Sequence, residues 1–191
     1  VQWAKDVEVP TTLRVLKRVM EASVDEANRE IFNAAHTNAA YAGMGTTLVF
    51  LSFALDGRVV VGHAGDSRAY RLREGSLSQL TRDHSLLQEQ VDAGLLTPEQ
   101  VHAFGYRNFI TRALGVEDAV VLDINDFDLR EGDVYLLCSD GLTDMVDDVD
   151  IATVLTGDSS LDQRASTLVD WANRNGGRDN VTVLLVEVPA T

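Results

Sequence analysis

The feature that most constrains this fold is a change of hydrophobic period near residue 45. Between residues 12 and 35, apolar side chains recur every three or four positions, which predicts one long amphipathic helix. Residues 46 to 81 are instead rich in β-branched and aromatic side chains, and Asp56-Gly57 and Glu74-Gly75 are typical of hairpin turns. This pattern predicts an antiparallel meander of about four strands. A meander beside long helices favours layered sheets and helices over a doubly wound parallel sheet.

The rest of the chain alternates strands with helices. Residues 83 to 110 are predicted to leave the sheet as two short helices, one from Leu86 to Ala93 and one opened by a capping box at residues 97 to 100. Residues 181 to 188 are apolar on both faces, which predicts a central last strand. The other predicted elements are strands over 120–129 and 133–139 and helices over 148–155 and 160–173.

Length and charge limit the classes of protein that this chain can represent. Its 191 residues predict one domain spanning residues 1–191. A net charge of −14 argues against a nucleic-acid partner or an anionic membrane partner, because basic patches serve those ligands. No apolar run approaches the length of a membrane span. The single cysteine, Cys138, excludes an internal disulfide framework and fits a cytoplasmic protein.

Three glycine-flanked aspartates lie beside predicted strands. Asp140 follows the apolar run that ends at Cys138, Asp66 lies between two strands of the meander, and Asp179 immediately precedes the last strand. Such carboxylates could converge on one end of a sheet, where oxygen ligands suit Mg²⁺ or Mn²⁺. Aspartates are also common in turns, so the residues alone leave a structural and a metal-binding interpretation open.

Other polar side chains have simpler interpretations. We expect His63 to be a packed strand residue, and His84 and His102 to be surface residues of the excursion. Arg68 could bind phosphate, but pairing with a nearby carboxylate is the expected arrangement. Asp147 is expected to cap a helix, and Cys138 to be a small buried apolar residue.

Six segments that contain glycine or aspartate follow one another along the chain: GMGTTLV (43–49), GHAGDSRAYRL (62–72), LTRDHSLL (80–87), RNFITRALG (107–115), LLCSDGLTDMV (136–146) and GGRDNVTVLLV (176–186). In order and spacing they resemble the successive motifs of the bacterial PPM-type protein phosphatases, the metal-dependent serine/threonine phosphatases of the protein phosphatase 2C class. Any one motif is weak, but six in the family's order and spacing form a specific signal.

The resemblance implies a fold and a metal centre. The implied fold is α+β, a four-layer α-β-β-α sandwich of two antiparallel sheets flanked by helices. Asp140 and Asp179 match ligands of one catalytic metal, Asp66 and Asp140 match ligands of a third, weaker metal, and Asn180 matches a position behind the ligands. The implied cofactors are therefore two Mn²⁺ or Mg²⁺ ions and a third ion. No other catalytic residue is implied.

The resemblance also implies a reaction and partners. The reaction is hydrolysis of phosphoserine and phosphothreonine in proteins by a metal-activated water. The implied protein is a cytoplasmic, monomeric signalling enzyme that acts on phosphorylated proteins opposite a serine/threonine kinase. Residues 83 to 110 match the flap beside the active site of the family, which is thought to affect the choice of substrate.

One departure from the family leaves two hypotheses open. Members begin with strands that carry a phosphate-binding arginine and the aspartate that bridges two metals, and no segment of this sequence matches them. We therefore expect this chain to lack the bridging ligand and the N-terminal strands. The first hypothesis is a phosphatase, favoured because Asp66, Asp140 and Asp179 are all present. The second is a non-catalytic, phosphatase-like domain that binds partners.

Overall fold

The fold is described from a computed structural model, which covers residues 12–97 and 109–189. The strands pair antiparallel, and runs of strands and of helices are segregated along these residues, so the fold is α+β as predicted. The strands are β1 Leu48–Phe53, β2 Arg58–Ala64, β3 Arg68–Arg73, β4 Ser76–Gln79, β5 Asp123–Asp128, β6 Val134–Cys138 and β7 Val183–Glu187. The helices are α1 Leu13–Thr37, α2 Leu86–Asp92, α3 Asp140–Thr143, α4 Asp148–Thr156 and α5 Leu161–Arg174.

The strands form two sheets that pack face to face. In the described residues the sheet orders are β1-β2-β5 and β4-β3-β6-β7. Val61, Ala69 and Leu137 form a buried cluster between the sheets. Val24 of α1 packs with Ala64 on the outside of the first sheet. Apolar residues of α4 and α5 pack on the outside of the second sheet, so the predicted four-layer sandwich is confirmed.

The predicted single meander is wrong in its connectivity. β1 and β2 form one hairpin in the first sheet, whereas β3 and β4 form another hairpin in the second sheet. The chain crosses between the sheets at Gly65, Asp66 and Ser67. Alternating apolar residues predict strands but not the sheet to which each belongs, because an inner face looks the same in both sheets. The crossing places Asp66 at one end of the sandwich.

Helix α1 is two residues longer than predicted at its C-terminal end, and its buried face differs by one position. Ala27, which continues the apolar period of the sequence, is exposed, while the neighbouring Asn28 is 1% exposed. The Asn28 side chain accepts a hydrogen bond from the Gly115 N–H at 2.7 Å and donates to the Glu117 carbonyl at 3.1 Å. A buried amide with both partners satisfied therefore ties α1 to the loop before β5.

The predicted helix ends of the second half are confirmed. Asp147 caps α4 by accepting from the Asp150 N–H at 2.9 Å. Ser160 and Gln163 form the predicted capping box at the start of α5. In the excursion, α2 is present and is capped by Ser85. The second short helix predicted from residue 97, together with His102, lies outside the described residues.

The last strand does not occupy its predicted central position among the described residues. β7 pairs only with β6 there and forms the end of the four-stranded sheet. Val183 and Leu185 pack against the cluster beneath α5, whereas Leu184 on the other face is 54% exposed. The apolar run predicted that both faces of the strand are buried. It does not predict whether the strand is hydrogen-bonded to one neighbouring strand or to two. Across the described residues, no helix is both long and apolar enough to span a bilayer.

Candidate metal centre

Strand register brings the three predicted aspartates to one end of the sandwich. β3 pairs with β6 through Arg68 and Cys138, and β6 pairs with β7 through Cys138 and Val183. Asp66 lies just before β3, Asp140 follows β6 as the first residue of α3, and Asp179 lies just before β7. These residues are far apart in sequence and meet because their strands are neighbours in one antiparallel sheet.

The segment containing Asp179 is held against the segment containing Asp140 by close backbone packing. The Ser139 hydroxyl donates to the Asn180 carbonyl at 3.0 Å and accepts from the Thr182 N–H at 3.0 Å. A Cβ at Gly141 would lie 2.4 Å from the Asn180 carbonyl oxygen. The φ of Gly141 is not positive, and glycine is needed there because another backbone approaches closely.

A different glycine provides the crossing that carries Asp66. Gly65 has a φ of +111°, and a Cβ there would lie 2.4 Å from the Thr47 side chain. The Thr47 and Ser67 hydroxyls are 2.9 Å apart and form a hydrogen bond across the crossing. Glycine is thus required at residue 65 both for its backbone conformation and for space. Thr47, the residue immediately before β1, contacts this loop and fixes its position.

The charges at this end of the sandwich are not balanced by cations. Burial and the neighbouring Asp140 raise the pKa of Asp66 to about 6. Burial, Asp144 and Asp179 raise the pKa of Asp140 above its usual range. Among the described basic side chains, none forms an ion pair with Asp66, Asp140 or Asp179. Converging carboxylates with raised pKa values and no basic partner fit a divalent cation, which would supply the missing positive charge.

Asp179 and Asn180 form the exposed side of the candidate site. The Asp179 carboxylate accepts from the Asn180 N–H at 2.7 Å, which orients it along its own backbone. The Asn180 carbonyl is the group that accepts from Ser139. Asn180 therefore contributes to the site through its backbone. A role for its side chain behind the metal stays a prediction.

Arg68 is close to the candidate site but is paired, as predicted. Its Nε and one terminal nitrogen donate to the two Asp83 oxygens at 2.9 and 2.7 Å, and its other terminal nitrogen donates to the Tyr70 hydroxyl at 3.0 Å. The Tyr70 hydroxyl in turn donates to Asp148 at 3.1 Å. With its guanidinium held by Asp83 and Tyr70, Arg68 acts as an anchor of the loop and not as a free phosphate ligand.

A second polar cluster near this end was not predicted. His84 was expected at the surface, but it is 8% exposed and lies beside His63, with ring centroids 4.5 Å apart and planes inclined by 14°. One ligand atom from each of His63, His84 and Asp123 lies within 4.8 Å of the others. An Arg112 terminal nitrogen lies 2.8 Å from the Asp123 carboxylate and 2.9 Å from the His84 Nε2.

This histidine cluster differs from the aspartate cluster because it contains its own cation. The Arg112 guanidinium supplies the positive charge that a metal would bring, and the lone pairs of two stacked rings lie in near-parallel planes and do not converge. The cluster is a hydrogen-bonded contact that connects β2, the residues before α2 and the start of β5. No local pattern in the sequence indicates this cluster, because His63, His84 and Asp123 come from segments that are distant in sequence.

The remaining candidate nucleophile is inert. Cys138 is 2% exposed, and burial raises the pKa of its thiol to about 12. A buried thiol in its neutral form is a poor nucleophile. The predicted packing role of Cys138 is confirmed.

Comparison with known proteins identifies the family. Residues 3–181 match the family described as protein phosphatase 2C. Over 188 residues the chain is 39% identical to the protein phosphatase PhpP of Streptococcus pneumoniae, covering 98% of this chain and 75% of that protein. The structure of the S. agalactiae serine/threonine phosphatase superposes with a TM-score of 0.88 at 38% identity, covering 95% of this chain and 74% of that one.

A second solved relative contains metal. The catalytic domain of the serine/threonine protein phosphatase PstP, in complex with two manganese ions, superposes with a TM-score of 0.80 at 38% identity, covering 97% of this chain and 75% of that one. This chain belongs to the protein phosphatase 2C family. It is thus a metal-dependent serine/threonine protein phosphatase, a hydrolase of phosphorylated proteins.

Proposed function

We propose that Asp66, Asp140 and Asp179 hold Mn²⁺ or Mg²⁺ ions in this chain, two catalytic ions and a third, weaker one. The observation that carries the proposal is the convergence of these three carboxylates with no described basic partner, together with burial and neighbouring carboxylates that raise the pKa values of Asp66 and Asp140. Asp140 would be shared between ions, because its charge raises the pKa of Asp66 and the charge of Asp179 raises the pKa of Asp140. Mutual repulsion of this kind is costly unless a ligand uses it.

The chemistry follows from the charge and position of these side chains. Bound divalent cations would lower the pKa of a coordinated water and neutralise the oxygens of a phosphoryl group. The chain's own part is to bring Asp66 and Asp140 close together, and to hold Asp179 oriented by the Asn180 N–H at 2.7 Å. Ser139 keeps the segment of Asp179 in register with that of Asp140.

The proposed setting is a cytoplasmic, monomeric protein in signalling, acting on phosphoserine and phosphothreonine opposite a serine/threonine kinase. The net charge of −14 supports this setting, because a strongly acidic surface disfavours nucleic acid and anionic lipid as partners. Residues 83–110 are proposed to be the flap excursion beside the site, within one domain of residues 1–191.

The decisive experiment is hydrolysis of a phosphothreonine peptide by the 191-residue chain in Mn²⁺, with a phosphotyrosine peptide as the control substrate. We expect turnover of the phosphothreonine peptide that disappears in chelator and returns with added Mn²⁺. An absence of turnover by folded, Mn²⁺-loaded protein would contradict catalysis by this chain alone. That result would favour a non-catalytic, partner-binding domain.

A further inference from the structure

We propose that His84 is a positioning residue that fixes the Gly65–Asp66 peptide and so aims the Asp66 carboxylate at the cation site. The inference rests on the proposed function, because it takes Asp66 to be a cation ligand. Asp66 lies in a crossing between two sheets and not in a strand or helix, and its carboxylate is hydrogen-bonded to its own backbone, so the conformation of that backbone decides where it points. What precedes it is Gly65, whose backbone is unusually well held.

Both hydrogen-bonding groups of the Gly65 backbone are occupied by His84. The His84 N–H donates to the Gly65 carbonyl at 3.0 Å, and the Gly65 N–H donates to the His84 Nδ1 at 3.1 Å. Two such bonds close a ring that fixes the backbone of Gly65 at a φ of +111°. The carbonyl held by His84 belongs to the peptide that leads directly into Asp66, so rotation of that peptide would re-aim the carboxylate.

The ring of His84 is held in one tautomer by its other partner. Since Nδ1 accepts a hydrogen bond, the proton of the neutral imidazole lies on Nε2. Nε2 is 3.2 Å from one Asp123 oxygen and donates to it, while Arg112 donates to the other oxygen at 2.8 Å. The 2.9 Å approach of the Arg112 terminal nitrogen to Nε2 is then a packing contact and not a hydrogen bond, because both groups are N–H donors. Burial first, then the nearby His63 and Arg112, lower the pKa of His84, which keeps the ring neutral and Nδ1 free to accept. Asp123 therefore fixes the tautomer and the orientation of the His84 ring, as a carboxylate does for a metal-bound histidine. Here the histidine does not bind the ion itself but holds the backbone next to the ligand Asp66.

The neighbouring residue clamps the other side of Asp66. Asp83 holds the Arg68 guanidinium with two hydrogen bonds of 2.9 and 2.7 Å. Consecutive residues 83 and 84 therefore fix the chain immediately before and shortly after Asp66. The His84 carbonyl also accepts from the Thr111 N–H at 2.9 Å, so the segment returning from the excursion is tied to the same point. His84 thus connects the base of the excursion to the orientation of Asp66.

Two amide substitutions distinguish the hydrogen bond made by the His84 Nδ1 from the one made by its Nε2. In His84→Asn the amide oxygen occupies the place of Nδ1 and can accept from the Gly65 N–H, but the bond to Asp123 is lost. In His84→Gln the amide reaches the place of Nε2 and can donate to Asp123, but the Gly65 N–H loses its acceptor. Each variant loses one side-chain bond, so a purely structural role would affect both alike.

The test measures Mn²⁺ binding to the 191-residue chain by the loss of the free-ion electron paramagnetic resonance signal. We expect His84→Gln to weaken the lowest-affinity Mn²⁺ site by about 10-fold to 100-fold, as is typical when a group behind a metal ligand is removed. His84→Asn should bind within about 3-fold of the wild-type affinity, since the bond to Gly65 is kept. Equal weakening in both variants, or in neither, would overturn the positioning role.

Asp66→Asn distinguishes failure of this inference from failure of the proposed function. If Asp66→Asn removes the weak site but His84→Gln does not change it, the inference is wrong and the function stands. If Asp66→Asn leaves every Mn²⁺ site unchanged, or the wild-type chain binds no Mn²⁺, both are wrong. Should His84→Gln fail to fold, the ¹⁵N shifts of the wild-type His84 ring test the same bond. The tautomer protonated on Nε2 supports the inference, and protonation on Nδ1 contradicts it.

Discussion

The two ends of the sandwich use the same residue type in opposite ways. At the end that carries Asp66 and Asp140, carboxylates face other carboxylates, and their pKa values are raised. At the other end, Asp128 and Asp133 face arginines, and their pKa values are lowered. The difference lies in the partners, because both ends place aspartates next to strand ends within a partly buried environment.

The far end is a clamp that joins the two sheets. Arg73 of β3 binds both Asp133 oxygens at 2.7 Å and one Asp128 oxygen of β5 at 2.8 Å. Burial opposes ionisation of Asp133, but hydrogen bonds from Arg73, the Arg130 N–H and Tyr135 outweigh it. The hydrogen bonds of Arg73 to Asp128 and Asp133 hold the sheets together, whereas unpaired buried carboxylates cost stability and mark a site for a ligand.

The largest expected effect comes from breaking the clamp. Arg73→Met should lower the free energy of unfolding by about 3–5 kcal/mol, because it leaves the fully buried Asp133 carboxylate without its cation. Urea unfolding measures this loss. The matched control is Arg29→Met, which removes an exposed pair with Glu26 and should cost less than about 0.5 kcal/mol. A similar small cost for both variants would contradict the clamp.

The next effect is on activity at the opposite end. Asp140→Asn should reduce Mn²⁺-dependent phosphatase activity by at least about 100-fold, because it removes a ligand shared between ions. It should leave the protein folded, since the substitution relieves repulsion with Asp144 and Asp179. Peptide hydrolysis and urea unfolding of the same preparations separate the two effects. An active Asp140→Asn enzyme that still requires Mn²⁺ would refute the ligand assignment.

A smaller effect tests how the segments of Asp140 and Asp179 meet. Gly141→Ala places a Cβ 2.4 Å from the Asn180 carbonyl oxygen, so we expect a loss of about 1–3 kcal/mol in unfolding free energy and weaker Mn²⁺ binding. Gly157→Ala is the control, because its Cβ would make an ordinary contact of 3.4 Å at a φ of −66°. Loss of stability with unchanged Mn²⁺ binding would show that this contact does not position Asp179.

The smallest expected effect is a gain of stability with a definite pH dependence. The pKa of Asp66 is about 6 when folded and about 3.9 when unfolded, so the folded protein binds the proton more tightly. Its contribution to stability therefore falls as the pH rises from about 4 to about 6. In chelator at pH 7, Asp66→Asn should be about 1–2 kcal/mol more stable than wild type, and this gain should vanish near pH 4.

The clamp should respond to pH with the opposite sign. The lowered pKa of Asp133 contributes stability above about pH 4, and that contribution is lost as the pH falls through the folded-state pKa. Urea unfolding across this range measures both slopes. Asp66→Asn should remove only the decrease in unfolding free energy between about pH 4 and 6, and it should leave the loss of stability at lower pH unchanged. An Asp66→Asn protein that is less stable than wild type at pH 7 would contradict repulsion at the metal end.

The sequence by itself determined the element types and the family. The long period-3.6 pattern defined α1, turn dipeptides separated the strands, and the capping box at Ser160 located the start of α5. These signals are local, because they depend on backbone geometry and side chains within a few residues. The six ordered motifs pointed to the phosphatase family and to Asp66, Asp140 and Asp179.

Tertiary structure decided how those segments meet. Only the fold shows that the chain changes sheets at Gly65, that β7 lies at a sheet end, and that Gly141 gives room to another backbone. It also moved His84 from an expected surface position into a buried cluster. Each of these depends on contacts between residues distant in sequence, and a local pattern specifies a face to be buried but not the partner that covers it.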